Sequence, residues 1–186
     1  MVVFPSTIVP VYVGRDPSVR AIELSSEYDR NIFVLTQKDN ELDDINPSDL
    51  YDIGTVGEII QTIKLPDGSY RAVIEAKYRA KVLECVYSET LSAFIAKVEK
   101  LEDIREDSLE LEALSRIVLS KFDEYIRLNK DIPEEASINL EEVRDEPDKL
   151  VDIIASNLPI RSSVKQDLLS VVSPKERLLK LAVILE

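Results

Sequence analysis

Near residue 105 the spacing of apolar side chains changes, and that change constrains the fold more than any other feature of the chain. Before it, apolar residues alternate or run in short blocks, as strands require. After it they recur every three to four positions, as helices require. A chain patterned in this way is read as α+β, with β structure in residues 1–104 and helices in residues 105–186.

The clearest strand is YRAVIEAKYRAKVLECV. Ala72, Ile74, Ala76, Tyr78, Ala80 and Val82 fall on one face, and Arg71, Glu75, Lys77, Arg79 and Lys81 fall mostly on the other. It follows GEIIQTIKLPDGSY, where Pro66-Asp67-Gly68 supplies a tight turn, so the two segments read as a hairpin. NIFVLTQK and LSAFIAKVEKL, rich in β-branched and aromatic residues, are expected as further strands. The opening VVF and VPVYV are expected as two more, with Pro5 and Pro10 at edges or bends. One short helix interrupts them: Asp16 is placed to cap it, Pro17 suits its first position, and Val19 and Ile22 would face inward. QKDNELDDINPSDLYDIG reads as an exposed acidic loop.

From Ser108 onward Leu111, Leu114, Val118, Phe122 and Tyr125 form a helical stripe, with Ile117 and Ile126 beside them. LNKDIPEEASINLEEV is expected as a connector broken by Pro133, and Pro147 then opens a helix through Leu150, Ile153 and Ile154. Ser163 with Gln166 fits a capping box, and Ser173-Pro174-Lys175-Glu176 fits a stronger one. The final helix, carrying Leu178, Leu181, Ala182 and Leu185, meets no stop signal. It is expected to be truncated, and the opening strand is expected to have lost residues before VVF.

Composition then narrows the chemistry. The net charge of −13 opposes a phosphate-tracking surface, so neither nucleic acid nor an anionic membrane is expected as a partner. With no His, imidazole catalysis and the usual zinc sites are excluded, and the one cysteine, Cys85, cannot form an internal disulfide. A reducing, cytoplasmic location follows as the expectation. The four glycines form no phosphate-cradling G-x-x-x-x-G-K-[ST] run.

The order of these signals resembles the amino-terminal domain of Lon, the ATP-dependent protease. VVFPSTIVPVYVGRDPSVRAI carries the resemblance first. IFVLTQKD, DLYDIGTVGEIIQTIKLPDGSYRAVIEAKYRAKV and FIAKVEKL follow in order, and then FDEYIRLNKDIPEE, DKLVDIIASNLPI and SPKERLLKLAVILE. The resemblance implies a six-stranded, PUA-like β pseudo-barrel with one short helix, followed by a C-terminal helical bundle. It implies a non-catalytic module that binds unfolded, damaged or degron-bearing proteins and supports assembly of Lon subunits into a hexamer. ATP, Mg²⁺ and a Ser–Lys protease pair would belong to modules outside this chain, so no cofactor, metal or catalytic residue is expected here.

The candidate substrate-contact residues lie in that opening stretch. Ile8, Pro10 and Tyr12 would form an apolar surface, with Arg15, Asp16 and Arg20 as a charged rim that adjusts selectivity. The family resemblance links the start of this helix to substrate recognition; the alternative is that Asp16 and Pro17 start a helix and the arginines are solvated. Glu41, Asp43, Asp44 and Asp49 lack the glycine and distal glutamate of a calcium loop and read as a solvated acidic segment. Glu75 and Glu84 lack a pocket for acid–base work, and Cys85 lacks a basic neighbour on its strand, so a packed thiol is expected. A stand-alone small-ligand or RNA-binding PUA-like module is the alternative function. It would need a basic groove with stacking aromatics, whereas Lys and Arg are here dispersed among more numerous acids.

Overall fold

A computed structural model of the chain describes residues 1–39, 41–104, 106–129, 140 and 142–186. They form two compact units, Met1–Leu101 and Glu102–Glu186. The expected connector around Pro133 lies mostly outside the described residues.

The first unit holds β1 (Ile8–Val13), α1 (Asp16–Glu27), β2 (Asn31–Val34), a 3₁₀ turn (Pro47–Asp49), β3 (Ile53–Lys64), β4 (Tyr70–Ser88) and β5 (Ala93–Lys100). All pairings are antiparallel, in the order β1-β4-β3-β2, and β5 also pairs with β4. β4 spans 19 residues and supports two partners along one edge. β1 covers Tyr70–Glu75 and β5 covers Ala80–Ser88. The β3–β4 hairpin closes as its turn chemistry dictates. The Gly68 amide donates to the Leu65 carbonyl, the Leu65 amide to Ser69, and Gly68 holds φ at 87°, a conformation that costs glycine little.

The sheet is open: among the described residues no ladder joins β2 to β1 or β5, so the expected six-stranded pseudo-barrel is not formed as a closed sheet. Val2, Val3 and Phe4, expected as a strand, join no ladder, although all three are buried. Their backbone is met by side chains instead. Thr36 Oγ1 donates to the Met1 carbonyl at 2.9 Å and Thr55 Oγ1 to the Val3 carbonyl at 2.6 Å. Hydroxyl donors let an extended segment stay buried without strand pairing. Pro5 follows at a turn, and Pro10 sits on β1, a strand paired on one side only, where its missing N–H costs no ladder bond. NIFVLTQK yields a shorter strand than expected, ending at Val34, and Gln37 then makes an isolated bridge to Leu50.

The core of this unit lies on one face of the sheet. Val11, Ile59, Ala72 and Ile74 pack against Ile22 of α1, with Val9, Val13, Ile32, Val34 and Tyr70 around them. α1 begins one residue earlier than expected. Arg15, not Asp16, is its N-cap, accepting from the Ser18 and Val19 amides through its carbonyl. Asp16 stands in the first turn, where its charge complements the helix dipole.

The second unit carries α2 (Leu109–Leu128), α3 (Pro147–Asn157), α4 (Ser162–Leu169) and α5 (Pro174–Ile184). α2 packs against α3 and α5, and α3 against α4 and α5. Ser108 caps α2 by accepting from the Leu111 amide, and Ser173 caps α5 by accepting from Glu176. Leu111, Val118, Phe122 and Ile126 are buried along α2, whereas Ile117 is half exposed. The expected capping box at Ser163 is not formed. Arg161 is the N-cap of α4, Ser163 lies inside the helix, and the Gln166 amide group reaches Ser170 instead.

Arg177 is the largest fully buried side chain among the described residues. Its guanidinium grips Asp103 in a fork, Nη1 to Oδ1 and Nη2 to Oδ2, both at 2.9 Å. Nη1 also donates to the Val171 carbonyl, and Nε lies 3.8 Å from Oδ1 of the buried Asp152.

Candidate functional site: two faces of one sheet

Alternation along β1 separates two surfaces. Val9, Val11 and Val13 turn toward α1, and Ile8, Pro10 and Tyr12 turn to the opposite face, where all three are exposed. Ile8 is 64% and Tyr12 71% exposed.

Strand register assembles their neighbours. Tyr12 stands opposite Arg71, which stands opposite Ile63; Pro10 faces Val73, and Val73 faces Gln61. Side chains opposed in this way share a face, so Ile8, Pro10, Tyr12, Ile63 and Val73 form one apolar strip. The Arg71 guanidinium lies over the Tyr12 ring, 5.9 Å from its centroid. Past Ile8, Glu75 and Glu58 stand directly opposite each other, and Lys77 resolves their repulsion with Nζ 2.6 Å from Glu75 and 3.4 Å from Glu58. The Glu75 contact holds the Lys77 ammonium above its ordinary pKa. The strip is thus bordered by charges already paired across strands.

The expected charged rim is not assembled beside this strip. Arg15 donates Nη1 to Gln37 Oε1 at 2.8 Å and Nη2 to the Leu42 carbonyl at 3.1 Å. Arg20 donates Nε to the Leu91 carbonyl at 3.2 Å and Nη1 to Glu23 at 3.3 Å. Both arginines belong to the side of the sheet that α1 covers, and Asp16 is exposed there at the start of the helix. The structure brings Ile8, Pro10 and Tyr12 together and holds Arg15, Asp16 and Arg20 apart from them. Arg71, Val73 and Ile63 complete the strip in their place. Their outward direction follows from strand alternation, but their nearness to β1 depends on register.

On the α1 side lies a cleft of about 1030 Å³ that sequence reading did not anticipate. Val13, Leu24, Ile32, Ile45 and Phe94 are among its lining residues. Cys85 borders it, and partial burial pushes that thiol's pKa up, away from nucleophilic chemistry. Nearby, Glu23 is drawn below the usual carboxylate range, chiefly by the Tyr70 hydroxyl at 3.1 Å, with Arg20 and Lys64 adding to the effect. Among the described residues no group of three or more Cys, Asp or Glu side chains is placed to share a metal ion, and no helix is long and apolar enough to cross a membrane. The geometry offers an exposed apolar strip and an apolar cleft.

The family model described as the ATP-dependent protease La (LON) substrate-binding domain matches residues 1–186. A Lon protease of Azospirillum brasilense is 42% identical over 178 residues, 96% of this chain and 22% of the relative. The Lon protease of Escherichia coli K12 is 37% identical over 186 residues, 100% of this chain and 23% of the relative. The chain therefore spans less than a quarter of the length of these relatives. Among solved structures, the N-terminal domain of a Mycobacterium avium complex Lon protease superimposes with a TM-score of 0.79 at 19% identity, covering 100% of this chain and 92% of that one. A Lon N-terminal domain protein from Xanthomonas campestris gives 0.67 at 16% identity, covering 98% and 92%.

Proposed function

This chain belongs to the Lon substrate-binding domain family, and from that membership we propose that it holds apolar segments of unfolded, damaged or degron-bearing proteins on the outer face of its sheet. The observation that carries the reading is the exposure of Ile8, Pro10 and Tyr12 on a strand whose alternate residues are core. An apolar strip on a rigid sheet binds by water release and needs no particular sequence in its ligand. Its paired charges supply no strong field, so affinity is modest and a bound segment can leave, as a module that passes substrates onward requires.

In this reading the chain performs no chemistry. Proteolysis belongs to a longer protein, whose ATPase module would use ATP and Mg²⁺ and whose protease module would carry a Ser–Lys pair. The helical unit is proposed to help hold Lon subunits together in a hexamer, and the setting is proposed to be the cytoplasm.

The test is a titration of the purified chain with one model protein in unfolded and folded forms, at two salt concentrations. Selective binding of the unfolded form is expected, nearly independent of salt, and about tenfold weaker in Ile8→Asp. Equal affinity for both forms, or binding to neither, would refute capture by this chain.

A further inference from the structure

Between Thr36 and Tyr51 the chain leaves the sheet and returns to it. The neck of this excursion is well tied: the Tyr51 amide donates to Thr36 at 2.9 Å, the Lys38 amide to Asp49 at 2.8 Å, and Gln37 bridges Leu50. Lys38 Nζ adds a bond to the Ser48 carbonyl at 3.0 Å. Such closed-neck loops carry their own internal packing and can move as a body. Beyond the neck, Leu42, Asp43, Asp44, Asn46, Pro47 and Ser48 are exposed, and Ile45 and Leu50 line the apolar cleft.

Among the described residues, the hydrogen bonds joining this body to α1 all come from one side chain. Arg15 donates to Gln37 Oε1 and to the Leu42 carbonyl, and Gln37 Nε2 donates to that same carbonyl at 2.9 Å, closing a ring of three bonds. Arg15 and Gln37 both stand on the cleft wall. A guanidinium makes stronger bonds than a neutral donor, and its fork fits two acceptors at once. Both acceptors here are neutral, so the contact holds without the strength of a full ion pair.

We infer that the segment Leu42–Asp49 is a strap over the apolar cleft of the β unit and that Arg15 is its latch. Release of Arg15 frees the strap from α1 while the neck at Thr36–Tyr51 stays paired, and Ile45 then swings off the cleft and exposes its apolar lining. The device lies on the α1 side of the sheet, and of the Ile8–Pro10–Tyr12 strip only Tyr12 also borders the cleft. It gives Arg15 a conformational role.

Hydrogen exchange of the whole chain, together with fluorescence of an anilinonaphthalene sulfonate dye, tests this. In Arg15→Ala the freed strap loses the cleft packing of Ile45 that supports its Asn46–Asp49 turn, so the Asn46 and Asp49 amides, bonded within that turn, are expected to exchange about tenfold faster, with the Tyr51 amide and the sheet unchanged. Dye fluorescence is expected to rise in parallel. Arg15→Lys, which keeps the charge but loses the fork, should fall between, and Gln37→Ala should match Arg15→Ala with no additive effect in the double variant. Arg20→Ala, which removes a charge from the same helix without touching the strap, should leave both readouts as they were. Unchanged strap amides in Arg15→Ala would overturn the inference. So would equal acceleration in Arg20→Ala, or acceleration that spreads to Tyr51 and the sheet in both Arg15→Ala and Gln37→Ala.

Discussion

Replacing Arg177 by Met tests how the helical unit is held together. Met matches the aliphatic part of the arginine stem, so little cavity opens, and the loss falls on electrostatics. The guanidinium makes two bonds of 2.9 Å to Asp103 and one of 3.1 Å to the Val171 carbonyl, and it faces the buried Asp152 at 3.8 Å. Removing one member of a fully buried pair costs about 3–5 kcal/mol, because the remaining charge stays desolvated. The Asp103 side chain, the closer partner, is 24% exposed and can be partly rehydrated, and the buried Asp152 keeps a further partner. The low end, about 3 kcal/mol, is therefore expected for Arg177→Met. Asp103→Asn keeps the shape, loses the charge, and should cost about 1–2 kcal/mol.

The assay is urea unfolding followed by far-ultraviolet circular dichroism, which reports the helices. The tyrosine signal in the near ultraviolet serves as an internal control, since every tyrosine except Tyr125 precedes residue 102. The helical transition should move to lower urea and the tyrosine transition should stay in place. The double variant should be less destabilised than the sum of the singles by about 1–3 kcal/mol. A stability within about 0.5 kcal/mol of the parent for Arg177→Met would refute the reasoning, by showing that desolvation had already cancelled the attraction.

Other expectations follow from single contacts. Ser108→Ala and Ser173→Ala should each cost about 1 kcal/mol in urea unfolding, whereas Ser163→Ala, which removes no cap, should change stability by less than about 0.5 kcal/mol. Gly57→Ala places a Cβ 2.6 Å from Ile74 Cγ2 and 2.8 Å from the Glu75 carbonyl, so thermal unfolding should show a loss of about 1–3 kcal/mol in the β unit. The folded-state pKa of Glu23 is depressed, so its contribution is full above the unfolded carboxylate pKa and is lost as pH falls through the folded value. Tyr70→Phe removes the largest cause of that shift. An NMR titration should find the Glu23 carboxyl closer to its ordinary pKa in that variant, with less stability lost in acid.

What could be read from sequence was whatever short-range geometry decides. Pro66-Asp67-Gly68 carries its own turn, alternation in β4 gives its two faces, and Ser173-Pro174 starts a helix almost regardless of context. The outward direction of Ile8, Pro10 and Tyr12 was legible for the same reason. Burial of Val2–Phe4 was signalled by hydrophobicity, but the strand expected there does not pair, because threonine hydroxyls from distant positions stand in for the ladder. The Ser163–Gln166 spacing fits a capping box, yet spacing alone cannot say where a helix begins, and this one starts at Ser162, directly after its cap Arg161, which leaves Ser163 inside the first turn. The partners of Arg15 and Arg20 come from loops that only the folded chain brings near, the Leu42 and Leu91 carbonyls. No local pattern encodes such meetings, nor the cleft they border.

The central claim is that the outer face of the sheet receives the unfolded segment. Amide chemical-shift mapping of the labelled chain with an unfolded model substrate tests it most directly. The largest shifts are expected along Ile8–Val13 and at Ile63, Arg71 and Val73, and Tyr12→Asp should abolish them while the rest of the spectrum stays in place. Shifts confined to the helical unit or to the α1 side, with β1 silent, would contradict the account.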